Sequence, residues 1–228
     1  MADYTLKEGA KKVAAKSKTK TKSSRNWMIF WLVLSLILFT ATALIAAKHQ
    51  LNGWQLKVFR YFNDVSLGSG FVTFAKWLTE GLGSGYPIAV CVIVPLLFKK
   101  YRIAWRFFVI VGGAGALSEI VKYLVKEPRP IAMLHGNLHQ RVIETGPGFP
   151  SGHQTVATAM AITLWFLLPA KWRWLSIVWI AAVGWSRLFL GVHTPVDILG
   201  GFACGMIAVC VVRLLPKSIA KPLRLNQA

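Results

Sequence analysis

An all-α polytopic membrane bundle is the fold class this sequence predicts, with about six transmembrane helices plus short interfacial helices. Three observations carry that expectation. Residues 27–47, WMIFWLVLSLILFTATALIAA, run 21 positions without a charge, enough for one helix across a bilayer. Apolar residues make up 55% of the 228 positions, too many for an ordinary soluble domain. No stretch alternates like a barrel strand, which leaves the helical bundle as the spanning architecture.

Taken in order, residues 1–26 form a basic tail rich in Lys, Ser, Thr and Ala, a composition that stays disordered. The first span, 27–47, ends without a good cleavage site and reads as an uncleaved signal anchor rather than a removed signal peptide. Residues 48–84 mix Trp54, Phe59, Tyr61, Phe62, Phe71, Phe74 and Trp77 with polar residues, the pattern of short helices lying at a membrane interface. A second span, 85–98, closes at the basic turn KKYR. The third, 103–125, contains VGGAGAL, small residues that let helices approach closely. The polar stretch 126–150 holds four of the ten prolines. A fourth span follows at 153–169, a fifth at 174–190 and a sixth at 195–215. Residues 27–215 make one domain without internal repeats, and 216–228 form a C-terminal tail.

The formal charge of +19 invites a nucleic-acid reading, but its distribution argues against one. Eight Lys and Arg residues precede Trp27, and the others concentrate at breaks between apolar runs. With the N-terminus inside, 18 of the 27 Lys and Arg residues fall on the inner side, as the positive-inside rule requires. Both termini are then cytoplasmic, and the basic tail sits near anionic lipid headgroups. No nucleic-acid partner is expected. Cys91, Cys204 and Cys210 lie in apolar segments without metal-ligand spacing and read as small core residues.

This topology brings three polar clusters to the outer face. They are KYLVKEPRP, with Lys122, Lys126 and Arg129; PSGH, from Pro150 to His153; and SRLFLGVHTPVD, with Ser186, Arg187, His193 and Asp197. Each has a purely structural reading. SGHQ fits a capping box with Ser151 as N-cap and Gln154 reaching back, and TPVD fits another built on Thr194, Pro195 and Asp197. Lys122, Lys126, Arg129 and Arg187 can snorkel to an interface. Their convergence points to chemistry. Two helix N-termini on one face make an anion site. Arg129 and Arg187 offer planar forks and Lys122 a compact charge, and these cations, without matching acids, call for a phosphate. Two histidines supply a nucleophile and a proton donor. Asp197, four residues after His193, can hold one ring nitrogen and leave the other directed at phosphorus.

The pattern Lys122-(six residues)-Arg129-Pro130, then Pro150-Ser151-Gly152-His153, then Ser186-Arg187-(five residues)-His193-(three residues)-Asp197 resembles the type-2 phosphatidic acid phosphatase, or lipid phosphate phosphatase, superfamily. The resemblance covers about residues 27–215 and leans towards the phosphatidylglycerophosphatase B-like or undecaprenyl-diphosphate type. It implies that His193 attacks phosphorus to form a phosphohistidine, oriented by Asp197. His153 then protonates the leaving oxygen and later activates water. Lys122, Arg129, Arg187, Ser151 and the Gly152 backbone N–H would hold the phosphoryl oxygens. It also implies metal-independent chemistry without a cofactor, which agrees with the lack of a carboxylate cluster suited to Mg²⁺.

Outside the motifs, Glu119 lies one turn before Lys122 and is expected to pair with Lys122 or Lys126, because an unpaired carboxylate within a span is costly. Lys126 and Glu127 either tune the pocket or sit in solvent, and Ser186 is a further residue at its margin. His135 and His139 read as surface histidines, with substrate contact as the alternative. The expected function is hydrolysis of a lipid phosphate or diphosphate at the outer face of a bacterial inner membrane. Candidates are undecaprenyl diphosphate, phosphatidylglycerol phosphate, phosphatidic acid and a lipid A phosphate. A lipid phosphotransferase with the same residues is the main alternative, and a non-catalytic lipid-binding or transport protein the other.

Overall fold

The computed structural model describes residues 25–215, and among them every regular element is helical. The expected tails, apart from residues 25 and 26, lie outside the described residues, and so does the expected contact of the basic tail with headgroups.

Helix α1 runs Arg25–Ala46, α2 Gly53–Asn63, α3 Gly68–Gly83, α4 Gly85–Leu97 and α5 Tyr101–Val125. After the short α6, Pro130–Met133, come α7 Gly152–Trp165, α8 Trp174–Phe189 and α9 Pro195–Leu214. By length and apolarity alone, α1, the stretch Tyr101–Met133 and α9 can each cross a membrane. Helices α3 and α4 are bent by 44° at their junction and pass the same test only as a pair. The span expected at 85–98 therefore reaches crossing length only together with α3. With 14 and 16 residues, α7 and α8 are shorter than the roughly 20 residues of a full perpendicular crossing. The molecule is a polytopic membrane helical bundle. Its outer surface carries Trp27, Phe30, Ile37, Leu44, Ile93, Phe108 and Ile177 exposed, side chains whose natural solvent is lipid.

Helix α7 sits at the centre, against α3, α5, α8 and α9. Phe107, Ile110, Val111 and Ala114 of α5 meet Ala159 and Met160 of α7 and Val209 of α9 in the main core. Helix α1 leans on the outside through Phe39, Ala43 and Ala46 against Val121, Phe149 and Val196. Helix α2 covers the end of the bundle through Phe59, which packs near Leu188.

The closest helix contact is α7 on α9. A Cβ at Gly201 would lie 2.6 Å from the Ser151 carbonyl, and one at Gly205 the same distance from that of Thr155. This is the small-residue packing expected of membrane helices, but not where VGGAGAL suggested it. Gly112, Gly113 and Gly115 have nothing within 4 Å of an added Cβ, while their neighbour Ala114 is the residue in the core. Gly205→Leu should therefore pry α7 from α9 and lower stability by about 1–3 kcal/mol. Gly112→Ala should be neutral or slightly stabilising through helix propensity. Thermal unfolding in detergent separates the two, and equal effects would contradict this packing.

Candidate active site

Four helix ends meet at one end of the bundle. Helix α5 stops at Lys126, which takes a left-handed conformation (φ 53°), and the chain then turns through Pro128 and Arg129. Ser151 caps the start of α7, Arg187 lies in the last turn of α8, and Thr194 caps α9. The α9 start is a complete capping box with Pro195 in the first turn: the Thr194 hydroxyl accepts from Asp197 N (3.1 Å), and Asp197 Oδ2 accepts from Thr194 N (2.7 Å). The same Oδ2 lies 3.2 Å from His193 Nδ1. The capping-box reading of TPVD thus holds, and the carboxylate that caps the helix also lies against the imidazole. With Nδ1–H donating to Asp197, Nε2 keeps its lone pair. His193 is 1% exposed. Burial, reinforced by the charges of Arg187 and Arg129, pushes its imidazole down to about 4 against the pull of Asp197, so the ring is neutral at pH 7.

Arg129 is fixed by three carbonyls: Nε donates to Gly146 O (3.0 Å), Nη1 to Val192 O (3.0 Å) and Nη2 to Thr145 O (3.2 Å). Its Nη1 also lies 2.9 Å from Glu144 Oε2. Arg187 is completely buried; it pairs with Glu144 Oε1 through Nη2 and donates from Nη1 to Thr79 Oγ1 (3.4 Å). Its Nε is buried without any hydrogen-bond partner, a donor left for an incoming anion. The expectation of cations without matching acids is thereby corrected. Glu144 bridges both guanidiniums, Glu119 lies 2.7 Å from Lys122 Nζ, and Glu80 lies 3.3 Å from His153 Nε2. Burial works to raise the Glu144 carboxyl, but Arg187, His193 and Arg129 together hold it down to about 2. Glu144 also interacts electrostatically with His153, so one carboxylate lies within reach of both arginines and both histidines.

Lys122 approaches the start of α7, with Nζ 3.2 Å from where a Cβ on Gly152 would stand. Ser151 is fully buried, and its hydroxyl accepts from Gln154 N at 3.4 Å. The second half of the expected SGHQ box is absent. The Gln154 amide instead donates to Thr158 Oγ1 and Ile180 O, because α8 packs close enough to take it. Ser186 turns away: its hydroxyl donates to Val183 O of its own helix (2.7 Å). Lys126 stands over the Tyr123 ring at 5.2 Å, outside the cluster. His135 is an exposed turn residue. His139 contributes only backbone, exchanging hydrogen bonds with the Asn63 side chain.

Glu80, Glu127 and Glu144 are the residues that sequence reasoning missed or left undecided. Glu127 is 2% exposed, which excludes the solvent alternative. A cleft of about 440 Å³, lined by Lys76, Thr79, Glu80, Arg141, Ile143 and Arg187 among others, opens onto this cluster from the side of α3. His193, which is buried, does not line this cleft. Among the described residues, no three of His, Cys, Asp and Glu are grouped so as to hold a metal ion.

Residues 103–219, just over half of the chain, match the family model of the PAP2 superfamily. The chain belongs to the PAP2 superfamily. Among its PAP2 relatives is the undecaprenyl-diphosphatase of Sulfolobus acidocaldarius, 28% identical over 181 residues, which cover 77% of this chain and 85% of that protein. The phosphatidylglycerophosphatase B of Bacillus subtilis is 27% identical over 165 residues, covering 64% and 78%. Two solved structures share the fold. The Aquifex aeolicus LpxE crystal structure matches with a TM-score of 0.63 at 23% identity, over 70% of this chain and 94% of that one. The transmembrane PAP2-type phosphatidylglycerolphosphate phosphatase of Bacillus subtilis matches with 0.62 at 22% identity, over 86% and 97%. The protein is thus a phosphatase of this membrane lipid phosphatase family.

Proposed function

We propose that the protein hydrolyses a lipid phosphate or diphosphate through a phosphohistidine on His193, with water as the final acceptor. The observation that carries the reading is the Glu144 carboxylate, gripped by Arg129 and Arg187 beside the buried His193–Asp197 pair. A phosphoryl group presents anionic oxygens of the same kind with more charge, and guanidinium forks favour it. Displacing Glu144 would give the substrate both forks and the spare Nε of Arg187.

In the first half-reaction, His193 Nε2 attacks phosphorus; the N–P bond forms, the bond to the leaving oxygen breaks, and His153 donates a proton to that oxygen. In the second, His153 takes a proton from water, the hydroxide attacks phosphorus, and the N–P bond breaks to release inorganic phosphate and regenerate His193. Asp197 holds Nδ1 throughout and stabilises the charged ring. Lys122, Arg129, Arg187, Ser151 and the Gly152 N–H hold the oxygens on which charge develops. Glu119 is a partner of Lys122 in this scheme, and Lys126 and Ser186 have no direct part. No step needs a metal ion, and activity is expected to survive EDTA.

Undecaprenyl diphosphate and phosphatidylglycerol phosphate are the first substrates to test, in keeping with the names of the relatives; phosphatidic acid and a lipid A phosphate follow. The apolar exterior and the cleft beside α3 suit a substrate whose tail stays in lipid. We further read six crossings, with α3 and α4 as the second, cytoplasmic termini and the site facing outward from the cytoplasmic membrane. The charge bias supports this orientation.

The test is phosphate release by detergent-purified protein across those four lipids with EDTA present. Turnover of one of them is the expected result. Transfer of label to a second lipid, without inorganic phosphate, would replace hydrolysis by phosphotransfer. The acid limb of kcat/KM reports the free enzyme, and the buried His193 must be neutral to attack. The acid limb should therefore be centred near the His193 value of about 4, with the proton that His153 must carry setting the basic limb. An acid limb centred at about 6.5, the ordinary histidine value, would contradict a desolvated nucleophile.

A further inference from the structure

Glu127 follows the left-handed end of α5, and its carbonyl accepts from Gly148 N at 2.8 Å. This bond lays the chain around Glu127 against the loop that leads into α7. A Cβ at Gly148 would stand 3.3 Å from Asp197 Oδ2 and 3.7 Å from the Glu127 carbonyl. Glycine at that position lets both segments close on the first turn of α9. Glu127 is 2% exposed and Asp197 is fully buried. Oδ2 of Asp197 is occupied by Thr194 N and His193 Nδ1. Its Oδ1 has no donor, and neither has Glu127 Oε2, although both atoms are buried. The two buried residues meet at Gly148 and interact electrostatically.

Two carboxylates in contact away from water cannot both be charged, and one proton between them is the usual outcome. Asp197 already takes two donors on Oδ2, which favours its charged form. The proton therefore belongs on Glu127, where it satisfies both orphaned oxygens at once.

We propose that Glu127 is a positioning residue of the nucleophile, a neutral carboxylic acid that donates its O–H to Asp197 Oδ1 and so fixes the carboxylate that orients His193. Buried beside Asp197 and with no donor on Oε2, Glu127 keeps its proton at pH 7. With both of its oxygens held, Asp197 cannot rotate away from the imidazole. Sharing the Glu127 proton also makes Asp197 a weaker base, so the His193 proton stays on Nδ1 and Nε2 stays free. The kinetic consequence rests on the His193 role proposed above, whereas the protonation state of Glu127 does not.

Two measurements on the full-length protein separate these. Infrared difference spectroscopy at pH 7, wild type against Glu127→Gln, should show the carbonyl stretch of a neutral carboxylic acid that the variant lacks. Loss of carboxylate bands instead would overturn the proposal whatever the substrate. In phosphate release, Glu127→Gln keeps a neutral N–H donor of the same length and should retain kcat within about threefold. Glu127→Ala should lose about 10–100-fold in kcat with KM little changed, the size seen when a supporting partner is removed. A Gln variant as impaired as the Ala variant, with both folded by gel filtration and thermal unfolding, would mean that Glu127 works ionised and would overturn the proposal. Wild-type kcat in Glu127→Ala would overturn it too. An acid band in a protein that releases no phosphate would leave Glu127 as described and sink the phosphatase reading instead.

Discussion

His193→Ala is expected to remove phosphate release altogether, with kcat lower by about 10⁴-fold or more, the order found when an enzyme loses its nucleophile. No other side chain can replace it: His153 is committed to the leaving group, and the Asp197 carboxylate is consumed by Thr194 N and its own helix start. The variant should still fold. The Thr194–Asp197 capping box does not use the imidazole, and the packing of Ala75 with Phe189, Leu190 and Val192 beside it is untouched. Phosphate release from the lipid that turns over, measured beside a thermal unfolding curve, checks both halves. A folded variant with residual turnover near the wild type would remove His193 from the chemistry.

Arg187→Lys should have the second largest effect, about 10²–10³-fold in kcat/KM, the usual loss when a donor to transition-state charge disappears. Lysine keeps the charge but not the fork. Arg187 divides its planar donors among Glu144, Thr79 and a spare Nε, and an ammonium on a shorter reach cannot reproduce that geometry. Inhibition by inorganic phosphate should weaken in parallel, because product and substrate use the same donors. A lysine variant with wild-type kcat/KM and wild-type phosphate inhibition would show that only charge is needed at this position.

What was legible in the sequence was local or strictly spaced. Thr194, Pro195 and Asp197 announce a helix start because capping acts over three residues, and His193 and Asp197 meet because they stand four positions apart across that start. The α1, α5 and α9 segments were legible because length and apolarity alone define a crossing. What was not legible is what arrives from elsewhere. Glu144 reaches Arg187 across 43 positions and Glu80 reaches His153 across 73, and no period or motif links such pairs. Glu127 sits within KEPRP, yet nothing in that string says that Gly148, 21 positions on, closes over it beside Asp197. VGGAGAL misled for a related reason. A run of small residues allows a close approach, but only the packing decides which helix makes one, and here that is α9, at Gly201 and Gly205. The SGHQ box was half right because α8 offers Gln154 a better partner than its own cap.

The central claim is that phosphorus becomes bonded to His193. The direct test is rapid quenching of the purified enzyme with its lipid substrate labelled by ³²P on the terminal phosphate. The account predicts protein-bound label that is stable to alkali, lost in acid, recovered on the peptide containing His193 and absent from His193→Ala. Turnover of the labelled lipid with no protein-bound phosphate at any quench time, or with label on another residue, would contradict it.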